Sequence, residues 1–367
     1  MQKQESLEYF YLYEPDTKEK YGLRYAIPED ADRISELYIQ EYGSNYVNPI
    51  IYDQHELEGH IADEDNIWII GENLQKEELI ATSLMELKEN YAFSSKTIIR
   101  KSYRGKGLGS RFGFRSVKEL HDSGVLDNRI KIDSDVRGVQ VTAQKLSENS
   151  RGIPYGFIPF YNNFGDKRDL NSDYYNPYPT QDEESAYLYF SPLPRLSKNR
   201  SNEVYLLDNE LIIFFYDYMK HIKRMTKNIM KRDTVYYTKF KQTPEYLEKE
   251  DISVSIDLYG SRVKLLGVTD YKVVEFLMDK FKNYRMLIWH IPATLKGVKS
   301  MQQVLDNGFI VCGYNLGGFK PRYSDVLVDS VIFVKYLHEK SKNSLKENIS
   351  CTEMNEPILK HVLKQLS

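Results

Sequence analysis

The chain has 367 residues, more than one ordinary core holds, so two domains are expected. Its 41% apolar residues suffice for real cores, and 28% charged residues mark a soluble surface. A net charge of −3 argues against a dedicated nucleic-acid or membrane binder, which needs a basic footprint.

Residues 1–20 are polar and read as a loose arm. Leu23 to Ile27 reads as a strand, and Pro28-Glu29-Asp30 opens a helix through Tyr42 with Ile34, Leu37 and Tyr38 on one face. A short helix follows from His55 to Ala62, then strands at Ile67–Gly71, Leu79–Leu87 and Tyr91–Arg100. A glycine-rich loop, Ser102 to Gly109, leads into a helix to about His121, with Leu108, Phe112, Val117 and Leu120 on its buried face. Next come a strand at Arg129–Ser134, a helix at Val139–Glu148, and closing strands at Phe157–Tyr161 and Ala186–Phe190. Asn162 to Glu184 between them reads as loop, and Ser197 to Ser201 as a polar linker at a domain boundary. The second half repeats the marks of the first: strand Met286–Ile291, helix from Gly297, strand from Gly308-Phe309-Ile310, and strand Ser330–Tyr336. The parallel series implies a duplicated fold. A last amphipathic helix, Glu356 to Gln365, is expected to dock on one domain.

Met1 to Ser6 lacks the apolar core of a signal peptide, and the longest apolar run, Leu211 to Tyr216, is too short to span a bilayer. Cys312 and Cys351 cannot form a disulfide framework, so a reducing cytoplasm fits best. The seven histidines are scattered, and no metal pattern emerges.

The chemistry resides in Arg104-Gly105-Lys106-Gly107-Leu108-Gly109. Glycines let the backbone turn tightly and approach a ligand, and the first N–H groups of the following helix have no internal partners. With the helix dipole they favour an anion, to which Arg104 and Lys106 add charge. The Walker pattern fails, because Gly109 is followed by Ser110 and Arg111. The dinucleotide fingerprint fails in its last glycine spacing and lacks the later acidic residue.

Tyr103 to Ser110 resembles the Gln/Arg-x-x-Gly-x-Gly/Ala hallmark of the GNAT superfamily of N-acetyltransferases, and the element order agrees over about residues 23–190. The resemblance implies a mixed α/β fold: two GNAT-like domains in tandem, each a mostly antiparallel sheet flanked by helices. The expected organisation is an arm at 1–22, a catalytic domain at 23–195, a degenerate second domain at 196–345 and a C-terminal helix at 346–367. Acetyl-CoA or another acyl-CoA is the implied co-substrate. Its diphosphate would sit on Arg104, Gly105, Lys106, Gly107, Leu108, Gly109 and Ser110. Its pantetheine would sit beside Ile98, Ile99 and Arg100, with Gln144 near the thioester. Thr142-Ala143-Gln144-Lys145 also resembles the helix start of a minor branch of the family.

The reaction implied is direct attack of an amine on the thioester, the acceptor being a small molecule or a protein, and a homodimer is compatible. The base usual in relatives is missing from Tyr91–Arg100, which leaves Glu86, Asp133 and Asp135 as substitutes. The usual Leu-Tyr-x-x-x-Gly-Phe is altered, with Ser147 after Leu146. Tyr155 could reach the sulfur if the segment Glu148 to Tyr155 folds back as an insertion. These departures keep a non-catalytic acyl-CoA sensor open. The basic run Lys220 to Arg232 keeps acyl exchange with a carrier protein open. After Ser201 the loop position reads Gly267-Val268-Thr269-Asp270-Tyr271, with no basic glycine cluster, so the second domain is expected to have lost coenzyme binding.

Overall fold

Apolar residues at alternate strand positions and at helical spacing build one long sheet with helices on both faces. A computed structural model describes residues 8–15, 19–166, 183–239, 252–340, 345 and 349–366. The first half contains β1 (Tyr11–Tyr13), β2 (Tyr21–Tyr25), α1 (Ala31–Tyr42), α2 (Gln54–Ala62), β3 (Asn66–Asn73), β4 (Glu78–Leu87) and β5 (Ala92–Ile99). It continues with α3 (Leu108–Asp122), β6 (Lys131–Arg137), α4 (Val141–Asn149), β7 (Ile153–Asn163) and β8 (Glu183–Pro192). The second half contains α5 (Leu196–Asn199), β9 (Glu203–Leu207), α6 (Glu210–Ile222), α7 (Arg224–Ile229), β10 (Thr234–Thr238), β11 (Ile252–Asp257) and β12 (Arg262–Gly267). Then follow α8 (Tyr271–Lys280), β13 (Met286–Pro292), α9 (Leu295–Asp306), β14 (Ile310–Phe319), β15 (Val328–Tyr336) and α10 (Glu356–Leu363).

The main sheet has 13 strands in the order β1-β2-β3-β4-β5-β6-β8-β7-β14-β15-β13-β12-β11. Among the described residues, only β5 with β6 and β12 with β13 run parallel in it. The run β4-β5-β6-β8-β7 reappears as β11-β12-β13-β15-β14, with the same pair directions and with α8 and α9 in the chain positions of α3 and α4. The halves meet where β7 pairs antiparallel with β14 at Gly156 and Gly313. A Cβ on Gly156 would stand 2.7 Å from the Cys312 carbonyl, and one on Gly313 2.7 Å from that of Tyr155, so only glycine allows this approach.

Alternation sorts the strands' residues between two faces. On one face, α3 buries Leu120 against Ile69, Met85, Ala92 and Ile132. On the other, α1 and α2 bury Ile34, Leu37, Leu57 and Ile61 against Trp68, Ile70, Leu84 and Ile98.

Several expectations are corrected. The arm is tied down in part: β1 pairs with β2, and Tyr9 donates to Glu72 at 2.8 Å. The expected insertion before Tyr155 is absent, because α4 ends at Asn149 and β7 begins at Ile153. The ends of the loop expected at Asn162–Glu184 are strand, since β7 reaches Asn163 and β8 starts at Glu183; residues 167–182 lie outside the described residues. The linker at Ser197–Ser201 is a fixed element: α5 occupies it, and Arg200 is buried. α10 docks across both halves, on β7 and β14, and its His361 meets α6. His361 stacks on Phe214 at 3.8 Å, Tyr218 donates to Met354 O at 2.6 Å, and the Gln365 amide bonds Val311 N and O at 2.8 and 2.9 Å.

Arg200 joins the elements behind that junction. Its guanidinium bonds Asp329 at 2.6 Å and Asp233 at 2.7 and 2.8 Å, while Tyr314 and Tyr216 donate to the same two carboxylates. All three charged side chains are at most 1% exposed. Arg200→Met leaves two buried carboxylates without their cation, so urea unfolding should show a loss of about 3–5 kcal/mol.

Candidate functional site

The two parallel strands of the first half separate within the sheet. β5 pairs with β6 only at Ala92–Ile132, Phe93–Asp133 and Ser94–Ser134. Past these pairs β5 runs to Ile99 and β6 to Arg137 without a shared ladder. The divergence coincides with a bulge: Lys96 and Thr97 together oppose Ser83 of β4, and Lys96 has φ of +51°, in the left-handed region. The Tyr38 hydroxyl on α1 donates to the Lys96 carbonyl and holds the bulge in place.

The gap opens a cavity of about 420 Å³ that reaches both faces of the sheet. Under α3 and α4 it is lined by small and polar side chains, among them Gly113, Ser116, Ser134, Ser147 and Ser150. On the α1 face it is lined by Tyr42, Tyr46, Glu86, Lys96, Asp135 and Arg137.

The glycine-rich loop stands at the mouth of this gap. Gly105 and Gly107 have φ of +78° and +73°, which a side chain would strain. A Cβ on either would meet nothing within 4 Å, so conformation and not crowding demands glycine there. Gly109 has the opposite reason: its Cβ would stand 2.7 Å from Ile99 Cδ1. Gly107 is the N-cap of α3 and offers no side chain, so the first-turn amides of Leu108, Gly109 and Ser110 receive no side-chain cap. No acidic residue lies in that turn. Arg104 is anchored by Nε to Ile99 O at 2.8 Å and by Glu41, and Lys106 Nζ lies 5.0 Å above the Tyr103 ring. Leu108 points inward and is core.

In the second half the equivalent turn is sealed. Asp270 caps α8, its carboxylate accepting from Lys272 N at 2.9 Å, which puts a fixed negative charge where an anion would bind.

The other expected residues divide. Ile98 and Ile99 line the gap, as do Glu86 and Asp135. Arg100 does not line it: its Nε bonds Leu79 O at 3.1 Å and Glu78 at 3.2 Å. Gln144 is also elsewhere. It is fully buried and holds the C-terminal segment, donating to Ser350 O at 2.8 Å and accepting from Thr352 N at 3.2 Å and Asn355 Nδ2 at 2.9 Å. Tyr155 is a core residue of β7, edge-on to Phe190 at 5.9 Å, and does not line the gap. Asp133 is buried and paired with Lys131 at 3.1 Å. Within the basic run, Lys223 is committed to Gly152 O at 3.0 Å, whereas Arg224, Lys227, Lys231 and Arg232 are exposed. Among the described residues no group of three or more His, Cys, Asp or Glu could hold a metal, and no helix is long and apolar enough to cross a membrane.

At the α1 face the charges shape one another. Burial raises the Asp135 carboxyl above its ordinary range, opposed by the positive charges of Arg262 and Lys264. Burial lowers the Lys96 ammonium, opposed by Glu86, whose carboxylate lies 3.7 Å away. Lys96 and Arg262 were not singled out from sequence. The polar run Ser94-Ser95-Lys96-Thr97 inside a strand was the available signal for the first; Arg262 comes from the other half of the chain and had none.

No family model matches the sequence, and no curated protein matches it. Solved structures of GNAT N-acetyltransferases match about half of it. The ribosomal-protein-S5-alanine acetyltransferase of Vibrio fischeri aligns over 50% of this chain and 96% of its own at 10% identity, TM-score 0.38. A GNAT-family acetyltransferase of Streptococcus pneumoniae aligns over 47% and 99% at 14% identity, TM-score 0.36. The spermidine N-acetyltransferase of Vibrio cholerae, solved with CoA and spermine, aligns over 47% and 95% at 19% identity, TM-score 0.36. At these identities and scores nothing about activity follows.

If the first turn of α3 is an anion site, a carboxylate brought to it should block it. Gly107→Asp should weaken CoA binding more than tenfold in titration calorimetry, and Gly107→Asn, which bears the same left-handed strain without the charge, should weaken it far less.

Proposed function

We propose that this protein is an acyl-CoA-dependent N-acyltransferase whose coenzyme site lies in the first half. One observation carries the reading: the uncapped first turn of α3 stands at the mouth of the gap where β5 and β6 part. The diphosphate would rest on the amides of residues 105–110, with Arg104 and Lys106 adding charge. The pantetheine arm would pass between the strands beside Ile98 and Ile99, and the acyl group would emerge on the α1 face.

There the amine nitrogen attacks the thioester carbon. A C–N bond forms and the C–S bond breaks. The attacking ammonium first loses a proton, directly or through water, to Asp135, whose raised pKa suits a base working nearer neutrality than an exposed carboxylate would. Backbone N–H groups freed by the bulge at Lys96 are the available donors for the tetrahedral oxyanion. The departing thiolate takes a proton from Tyr46, which lines this end and which burial keeps protonated, and the new amide nitrogen returns its extra proton to Tyr46. Glu86 is already partnered by Lys96 and positions it.

Residues 196–345 form, on this reading, a degenerate copy of the first unit that lost coenzyme binding when Asp270 capped α8 and now serves the acceptor side. Binding without turnover is the second reading, favoured by the placement of Tyr155 in the core.

Release of thiol from acetyl-CoA, with pooled small amines and amine-bearing peptides as acceptors, tests the proposal. Turnover should fall more than tenfold in Tyr46→Phe and further in Asp135→Asn. Asp135 works only when ionised, so wild-type kcat/KM should decline as pH drops through the raised Asp135 pKa, and Asp135→Asn should lack that limb. Tight CoA binding with no thiol release from any acceptor would support the non-catalytic reading instead.

A further inference from the structure

The acceptor side of the gap is built by both halves of the chain, and its charges are not all matched. Alternation along β6 puts Asp133, Asp135 and Arg137 on the α1 face. Alternation along β12 puts Arg262 and Lys264 on one common face. Arg262 lines the same cavity as Asp135, so the sheet curves enough to bring β12 over the end of β6. The turn that carries Arg262 is fixed. Arg285 bonds Gly260 O at 2.7 Å, Phe160 O at 2.9 Å and Tyr161 O at 3.0 Å, which ties the β11–β12 turn to β7.

Most charges around this end have partners. Arg137 is held by Glu184 through two nitrogens, one at 2.7 Å. Arg262 is held by Asp257 at 2.9 Å and by Tyr161 O at 3.2 Å, with the Tyr161 ring 3.7 Å away. Lys96 faces Glu86. Two groups remain. Asp135 and Lys264 are both half-buried, and among the described residues neither has an ion-pair partner within 4.0 Å. Lys264 Nζ lies 5.9 Å from the centre of the Tyr161 ring and feels the carboxylates of Asp133, Asp135 and Asp257 only at longer range. Asp135 and Arg262 line the cavity, and Lys264 follows Arg262 on the same face of β12, close enough for its charge to act on Asp135; two opposite charges withdrawn from water without an ion-pair partner are suited to a ligand that carries both complements.

We propose that Asp135 and Lys264 are the two poles of the acceptor subsite, and that the acceptor is a zwitterion of the amino-acid class, its amine at Asp135 and its carboxylate at Lys264. The inference rests on the acyl-transfer reading and names its substrate class. A lone ammonium matches a singly charged carboxylate. A phosphate dianion would be left with uncompensated charge, since Arg262 and Arg137 are already committed to carboxylates. The cavity measures about 420 Å³ and must also admit the acyl end of the coenzyme, which leaves room for a group of amino-acid size. Asp135 then has one task in two stages: it holds the ammonium, and it takes the proton whose loss frees the nitrogen lone pair before the C–N bond forms.

The test is titration calorimetry on the full-length protein. CoA alone is titrated first. The CoA-saturated protein is then titrated with the common amino acids, pooled by side-chain type, and with pools of primary amines that lack the carboxylate. At least one amino-acid pool should bind ten times more tightly than its matched amine pool. Lys264→Met should abolish that difference without changing CoA affinity, and Lys264→Arg should restore most of it. Equal or tighter binding of the matched amines would overturn the proposal. So would amino-acid binding indifferent to Lys264→Met, or no amino-acid binding to a protein that takes up CoA normally. A protein that does not bind CoA at all would instead bring down the coenzyme reading, and this inference with it.

Discussion

An α-helix cannot satisfy its own first amides, and the use this chain makes of that constraint at α3 determines the rest of the site. Side chains close the turn at four helices, where Asp53 caps α2, Asn209 caps α6, Asp270 caps α8 and Thr294 caps α9, while α1, α4, α5, α7 and α10 share with α3 the lack of a side-chain cap. At α3 the cap is Gly107, which cannot close anything. The open end also lies beside a break in the sheet, so a ligand gripped there has somewhere to extend. Either feature alone would be ordinary. Together they make the anion-binding end and the passage of the proposed site.

The sheet itself supplies the passage. Parallel strands need a crossover connection, and α3 is the crossover between β5 and β6. The bulge at Lys96 ends their pairing after three residue pairs. The same parallel pair recurs as β12 and β13, with α8 as its crossover, but there Asp270 fills the anion position with its own carboxylate. The repeated strand order is asymmetric at this turn: one half has an open helix end and the other a capped one, and Arg262 of the second half lines the gap of the first. The glycine contact between β7 and β14, the Arg200 cluster and the C-terminal segment bonded to Gln144 keep the two halves in fixed relation.

The loop was legible in the sequence because its signal is local. Glycines needed for positive φ, basic neighbours and a strand-to-helix context all fall within ten residues. Element order was legible for the same reason, since periodicity needs only short windows. The errors come from contacts distant in sequence. Gln144 looked like a ligand residue near a helix start, but its partners are Ser350, Thr352 and Asn355, some two hundred residues on. Arg100 carried the right charge, but Glu78 and Leu79 O on the neighbouring strand hold it away. Tyr155 was misplaced because the start of β7 could not be read, and its strand position commits its ring to the core. Arg262 and Lys264 reach the first half only through the curvature of a sheet of 13 strands, which no local pattern encodes.

Amide hydrogen–deuterium exchange with and without CoA addresses the central claim most directly, because it reads the backbone groups proposed to hold the diphosphate. Saturating CoA should slow exchange at residues 105–110 and along Ile98–Ile99, while the Asp270–Lys272 turn of α8 exchanges as before. Unchanged exchange at 105–110 under CoA concentrations that protect some other segment would contradict the account.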